Sequence, residues 1–171
     1  MTKGFTKVSL PVIFGFALIM AFVSSAQAQM PKKGKTTGVA TFLGMGKMQE
    51  YPPDVVVWDG TFPGESVTDA GQGVLHYGAW ECTGEQVLRS GKILFGGGFC
   101  AVTDQDGDKI NLRWQVDEPN ANPAKFKTKG TYLSGNGKYE GIQGGYNFIC
   151  GPIGSTNHYI CKIIGGEYQL P

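Results

Sequence analysis

Between Lys109 and Asp117 apolar and polar residues alternate without interruption. Ile110, Leu112, Trp114 and Val116 fall on one side, and Lys109, Asn111, Arg113, Gln115 and Asp117 on the other. A period of two over this length predicts an antiparallel strand with one buried face. The preceding strand candidate, Lys92 to Thr103, is apolar on both faces from Ile93 to Val102 and carries three consecutive glycines, Gly96, Gly97 and Gly98. Glycine inside a strand lets a sheet bend sharply or lets another backbone come close, as in a sheet curling into a barrel. Between the two segments, Asp104-Gln105-Asp106-Gly107-Asp108 supplies an Asp-Gly pair suited to a tight turn, so the pair reads as one long hairpin.

Six further strands are expected. Gly38 to Met48 is the first, and Val55 to Phe62 follows the turn signal Tyr51-Pro52-Pro53-Asp54. Gly73 to Thr83 precedes the long hairpin. After it, Lys125 to Leu133 sets Lys125, Lys127 and Lys129 against Phe126, Thr128, Gly130 and Tyr132, an outward lysine row that also discourages sheet-to-sheet aggregation. Asn136-Gly137 then marks a hairpin into Lys138 to Cys150, and Asn157 to Tyr168 closes the series. No stretch of ten or more residues beyond the N-terminal leader combines a 3.6-residue period with helical caps. The expected fold is therefore all-β: an eight-stranded antiparallel meander closing into a β-barrel, its interior filled by side chains or holding one small ligand.

The leader changes the compartment. Lys3 and Lys7 precede an apolar run from Val8 to Val23, and Ala26-Gln27-Ala28 has the small-x-small form of a signal-peptidase site. Residues 1–28 are expected to be a signal peptide, too short and too interrupted to span a membrane. Residues 29–37 are expected to be a flexible mature N-terminus and residues 38–171 the barrel, in the periplasm or secreted. Removing the two leader lysines takes the formal charge from +1 to −1, which gives no electrostatic claim on nucleic acid or an anionic membrane. Four cysteines, Cys82, Cys100, Cys150 and Cys161, follow the leader. An even count in an oxidising compartment predicts two disulfides. Cys82–Cys100 and Cys150–Cys161 are the expected pairs, because each lies on consecutive strands about equally far from the intervening turn. Glycine, at 27 of 171 residues, far exceeds the usual share of about 7% and fits a sheet with many turns and bends.

Candidate chemistry is sparse. Asp104, Asp106 and Asp108 put three carboxylates within five residues, which a calcium ion would relieve, but the glycine and glutamate positions of an EF-hand are not met. The run reads either as a metal loop or as an acidic, solvated turn. His76 falls on the even-numbered face with Val74, Trp80 and Cys82, which points it into the barrel as a satisfied interior histidine or as a general base. Trp58, Trp80, Trp114, Tyr132, Tyr146 and Phe148, with His76, could line a cavity for a small hydrophobic ligand or form packed core. No phosphate loop, dinucleotide fingerprint, nucleophile elbow or His-Glu-x-x-His appears, and no cofactor is expected.

At Ser134 to Tyr146, SGNGKYEGIQGGY resembles the glycine-rich hairpin of the allene oxide cyclase and dirigent protein superfamily, the matching positions being Gly135, Gly137, Lys138, Tyr139, Gly141, Ile142 and Gly144. The resemblance implies a calycin-like eight-stranded barrel with a central cavity, often trimeric, acting on small hydrophobic molecules without a cofactor. No catalytic residue of those enzymes maps onto the matching positions. Two readings follow: an exported barrel that binds a small hydrophobic ligand or serves as an envelope interaction module, and a cofactor-independent isomerase or cyclase using His76.

Overall fold

The structure, a computed structural model, describes residues 30–171; the expected signal peptide lies outside the described residues. The strands are β1 (Lys33–Lys35), β2 (Gly38–Leu43), β3 (Met45–Tyr51), β4 (Val55–Thr68), β5 (Gly78–Arg89), β6 (Lys92–Thr103), β7 (Lys109–Val116), β8 (Phe126–Gly135), β9 (Gln143–Pro152) and β10 (His158–Gln169). β4 to β10 form an antiparallel meander. The first three strands act as one broken stave: β1 and β2 lie successively along β10, and β2 and β3 successively along β4. The β2–β10 ladder, from Leu43 opposite His158 to Gly38 opposite Ile163, closes the sheet into an eight-stranded barrel.

The alternation read from sequence sets which residues fill it. On β7, Ile110, Leu112 and Trp114 are buried while Lys109, Asn111 and Arg113 are exposed, and β8 buries Phe126, Thr128, Gly130 and Tyr132 while its lysines face out. The two disulfides are the expected ones, and each joins residues directly opposite across one hairpin: Cys82–Cys100 on β5 and β6, Cys150–Cys161 on β9 and β10. The glycines have a collective placement. Gly46, Gly60, Gly84, Gly98, Trp114, Gly130, Tyr146 and Gly166 form one continuous rung, each opposite the next. Aromatic rings lie across the bare backbone: a Cβ on Gly84 would come within 2.6 Å of the Trp114 ring, and one on Gly46 within 2.5 Å of the Trp58 ring. Glycine thus makes room at this level for rings packed across the sheet.

Four expectations are corrected. Residues 33–35 are a strand, not part of a flexible tail: the end of β10 offers a free edge, and Leu170 N–H donates to Lys32 O at 2.7 Å beyond it. β4 runs on to Thr68, and β5 begins only at Gly78 and continues to Arg89. Residues 69–77 between them form a turn whose Val74 and Leu75 plug the barrel end, both nearly inaccessible. The plug is held by side chains distant in sequence. The Ser66 hydroxyl donates to Leu75 O at 2.5 Å, and the Trp80 indole N–H donates to Ser66 Oγ at 2.8 Å. Leu75 and Tyr77 take φ of 70° and 47°, left-handed values that cost energy in non-glycine residues. Finally, β9 begins at Gln143 because Gly137–Tyr139 forms a 3₁₀ turn instead of opening a two-residue hairpin.

Candidate functional site

The acidic turn and the glycine-rich turn meet at the rim beside the plug. The Lys138 ammonium lies 2.6 Å from Asp104 Oδ2 and also contacts Asp106 Oδ2. Tyr139 OH donates to Asp104 Oδ2 at 2.9 Å, while the amides of Asp106 and Asp108 donate to Asp104 Oδ1 at 2.9 and 3.0 Å. The Lys138 amide donates to Asp108 Oδ2, 3.2 Å away. Gly137 must be glycine here: its φ is 55° and a side chain would collide with the Asp108 carboxylate. Burial alone would raise the Asp104 carboxyl, but hydrogen bonds from Lys138, Tyr139 and the Asp106 amide, with the lysine charge, outweigh it and hold the group below its ordinary range. Burial alone would lower Lys138; bonding to the two carboxylates, and their charge, turns the shift upward. Tyr139 is pushed well above its usual value by burial and by the carboxylate it serves.

The acidic run of Asp104, Asp106 and Asp108 has a cation of the chain itself beside it. The cation that relieves their repulsion is Lys138, whose Nζ bridges the first two carboxylates. Among the described residues, no group of three or more His, Cys, Asp or Glu side chains is disposed to hold a metal ion.

His76 sits in the 69–77 turn, so it does not project into the barrel from a strand. Its Nδ1 accepts from the Thr68 amide at 3.2 Å and lies 3.0 Å from Thr68 Oγ1, whose own proton goes to Gln72 O at 2.9 Å. With Nδ1 accepting from the Thr68 amide, the ring proton of that tautomer is on Nε2. The Tyr77 ring lies beside it, centroids 4.1 Å apart, and is 59% exposed. Together with Thr68, Gln72, Lys35, Asp104, Lys138 and Tyr168, these two side chains border an open recess of about 1190 Å³ at the rim.

The barrel interior is different. A cavity of about 60 Å³ lies among Phe42, Phe62, Trp80, Trp114, Phe126, Tyr146, Phe148 and Tyr159, with Gln86, Thr128 and all four cysteines completing its walls. Small-molecule pockets run from about 300 Å³ upward, so this space admits little beyond water. Of the expected cavity residues, Trp80, Trp114, Tyr146 and Phe148 are brought together. Trp80 and Phe148 rings lie 5.8 Å apart, and Tyr146 and Phe148 4.4 Å. Trp58 does not border the cavity: it packs on Phe62 at 4.5 Å, where β4 extends past the barrel. Tyr132 is buried behind the cavity, with a hydroxyl lacking a hydrogen-bond partner among the described residues. His76 is on the rim. Phe42, Phe62, Phe126 and Tyr159 complete the wall without having been singled out. Phe62 and Phe126 share the inward phase of Trp58 and Trp114, the signal by which alternation could have found them.

No protein-family model, no curated protein and no solved structure matches this chain.

Proposed function

We propose that this chain is an exported, disulfide-stapled barrel that acts as a binding module, with its ligand taken at the rim recess rather than inside the wall of strands. The contrast in volume carries the reading: about 60 Å³ within the barrel against about 1190 Å³ at the rim. The recess combines an exposed aromatic face, Tyr77, with donors and acceptors from His76, Gln72, Lys35 and the rim of the acidic turn. That mixture suits a small polar molecule with one apolar face, for which a ring gives contact area and a few polar groups fix orientation. Export is supported by the two disulfides, which persist in oxidising compartments. No reaction is assigned: Nδ1 of His76, the imidazole bordering this recess, is hydrogen-bonded to Thr68. Kinship with the allene oxide cyclase and dirigent barrels rests on the glycine phrase and the strand count.

Native mass spectrometry of protein purified from the producing cell's envelope fraction tests the proposal. A co-purifying small molecule lost in Tyr77→Ala and kept in Phe62→Leu supports the rim. The reverse pattern would place the ligand inside the barrel and overturn it.

A further inference from the structure

Barrel closure leaves few strand edges free, and one is long. β3 pairs with β4 along its whole length, from Met45 opposite Thr61 to Tyr51 opposite Val55, and has no second partner among the described residues. All seven of its residues are exposed. β1 is three residues long and rich in lysine, and the free start of β6 is met by Ala121, whose N–H and C=O both bond Ile93. β3 therefore presents the main run of unpaired strand-edge donors and acceptors among the described residues.

Exposed edges are normally blunted by proline, lysines or bulges. β3 carries no proline and a single lysine, and no register shift interrupts its pairing with β4. It concentrates exposed apolar side chains instead: Met45, Met48 and Tyr51 are 50%, 71% and 51% exposed. Such an edge is chemically specific for another extended strand.

We propose that β3 pairs antiparallel with β3 of a second copy about a twofold axis through Met48, joining two barrels by one continuous sheet. The proposal is independent of the ligand reading. It commits to a second copy because the strand is self-complementary in this register. Met45 comes opposite the partner's Tyr51, a sulfur–aromatic contact. Lys47 comes opposite the partner's Gln49, Gly46 opposite the partner's Glu50, and Met48 opposite the partner's Met48, so no like charges face each other. Centring on Met48 engages all seven residues. A one-residue shift of the axis toward the N-terminus would set Lys47 against the partner's Lys47, which is unfavourable.

Sedimentation velocity on the oxidised protein, from about 1 to 500 μM, tests it, with charge at position 49 as the discriminating variable. Gln49→Lys places two lysines opposite one another twice per dimer and should weaken association roughly three- to tenfold. Gln49→Glu replaces each Lys47–Gln49 contact with an ion pair and should tighten it by a similar factor. Position 49 is exposed, so neither change threatens the fold. A wild-type protein monomeric throughout the range would overturn the proposal, as would association that both substitutions leave alone or shift in the same direction.

Discussion

Gly98→Ala tests the claim that glycine sets the spacing of this barrel's wall. At the Gly84–Gly98 rung, an added Cβ would lie 2.6 Å from Gly84 Cα and 2.8 Å from the Thr83 carbonyl carbon, and closer still to Thr83 O. All three atoms are β5 backbone, so no rotamer change relieves the clash. β5 and β6 must part locally, weakening roughly two flanking ladder bonds at about 1 kcal/mol each, on top of about 1–3 kcal/mol for overpacking. The expected loss is about 3–5 kcal/mol. Gly165→Ala provides the contrast. A Cβ there meets nothing within 4 Å and the backbone is outside the left-handed region, so the smaller unfolded-state entropy should stabilise by about 0.4–1 kcal/mol. Urea unfolding of both variants with the disulfides intact reads the difference directly. A Gly98→Ala protein within about 1 kcal/mol of wild type would refute the reasoning, because the strands would then have slack that the geometry denies.

The rim latch should respond to pH in a defined window. The depressed Asp104 carboxyl stabilises above its unfolded value of about 3.9 and loses that contribution as pH falls through the lower folded value; the raised Lys138 contributes below about 10.4 and is lost above it. The stability advantage of wild type over Asp104→Asn, about 1–2 kcal/mol after allowing for the partly exposed lysine, should therefore hold near pH 7 and shrink below pH about 4; thermal melts across pH would show a flat difference if the latch were inert. Ser66→Ala should cost about 1–3 kcal/mol in urea unfolding, since it strands the buried Trp80 N–H and the Leu75 carbonyl; a neutral variant would mean the plug is not held by that hydroxyl.

Alternation exposed the barrel because β7 and β8 bury one face and solvate the other, so each residue's environment repeats with the pleat. The cysteine pairing was legible for the same reason, a hairpin placing residues equidistant from its turn opposite one another. Residues 73–77 misled because Val74 and His76 continue the phase of Trp80 and Cys82, although the chain there folds over the barrel end under the hold of Ser66 and Thr36, residues whose partners only tertiary structure supplies. The late half of β5 was hidden by Gly84, Glu85 and Gln86, a polar, glycine-bearing run that imitates a loop yet pairs with β4 on one side and β6 on the other. The Lys138 latch spans about thirty residues of sequence, and nothing local distinguishes that lysine from the outward row on β8. Its neighbour Gly137 was visible as a turn signal, but the shape of that turn is dictated by Asp108 across the rim.

Both covalent staples lie within single hairpins, one joining β5 to β6 and the other β9 to β10. The β2–β10 seam that turns a sheet into a cylinder has no such tie. Its integrity depends on non-covalent cohesion alone, so the cylinder should unzip there first, with the amides of Gly38–Leu43 exchanging with deuterium sooner than those flanking the cystines.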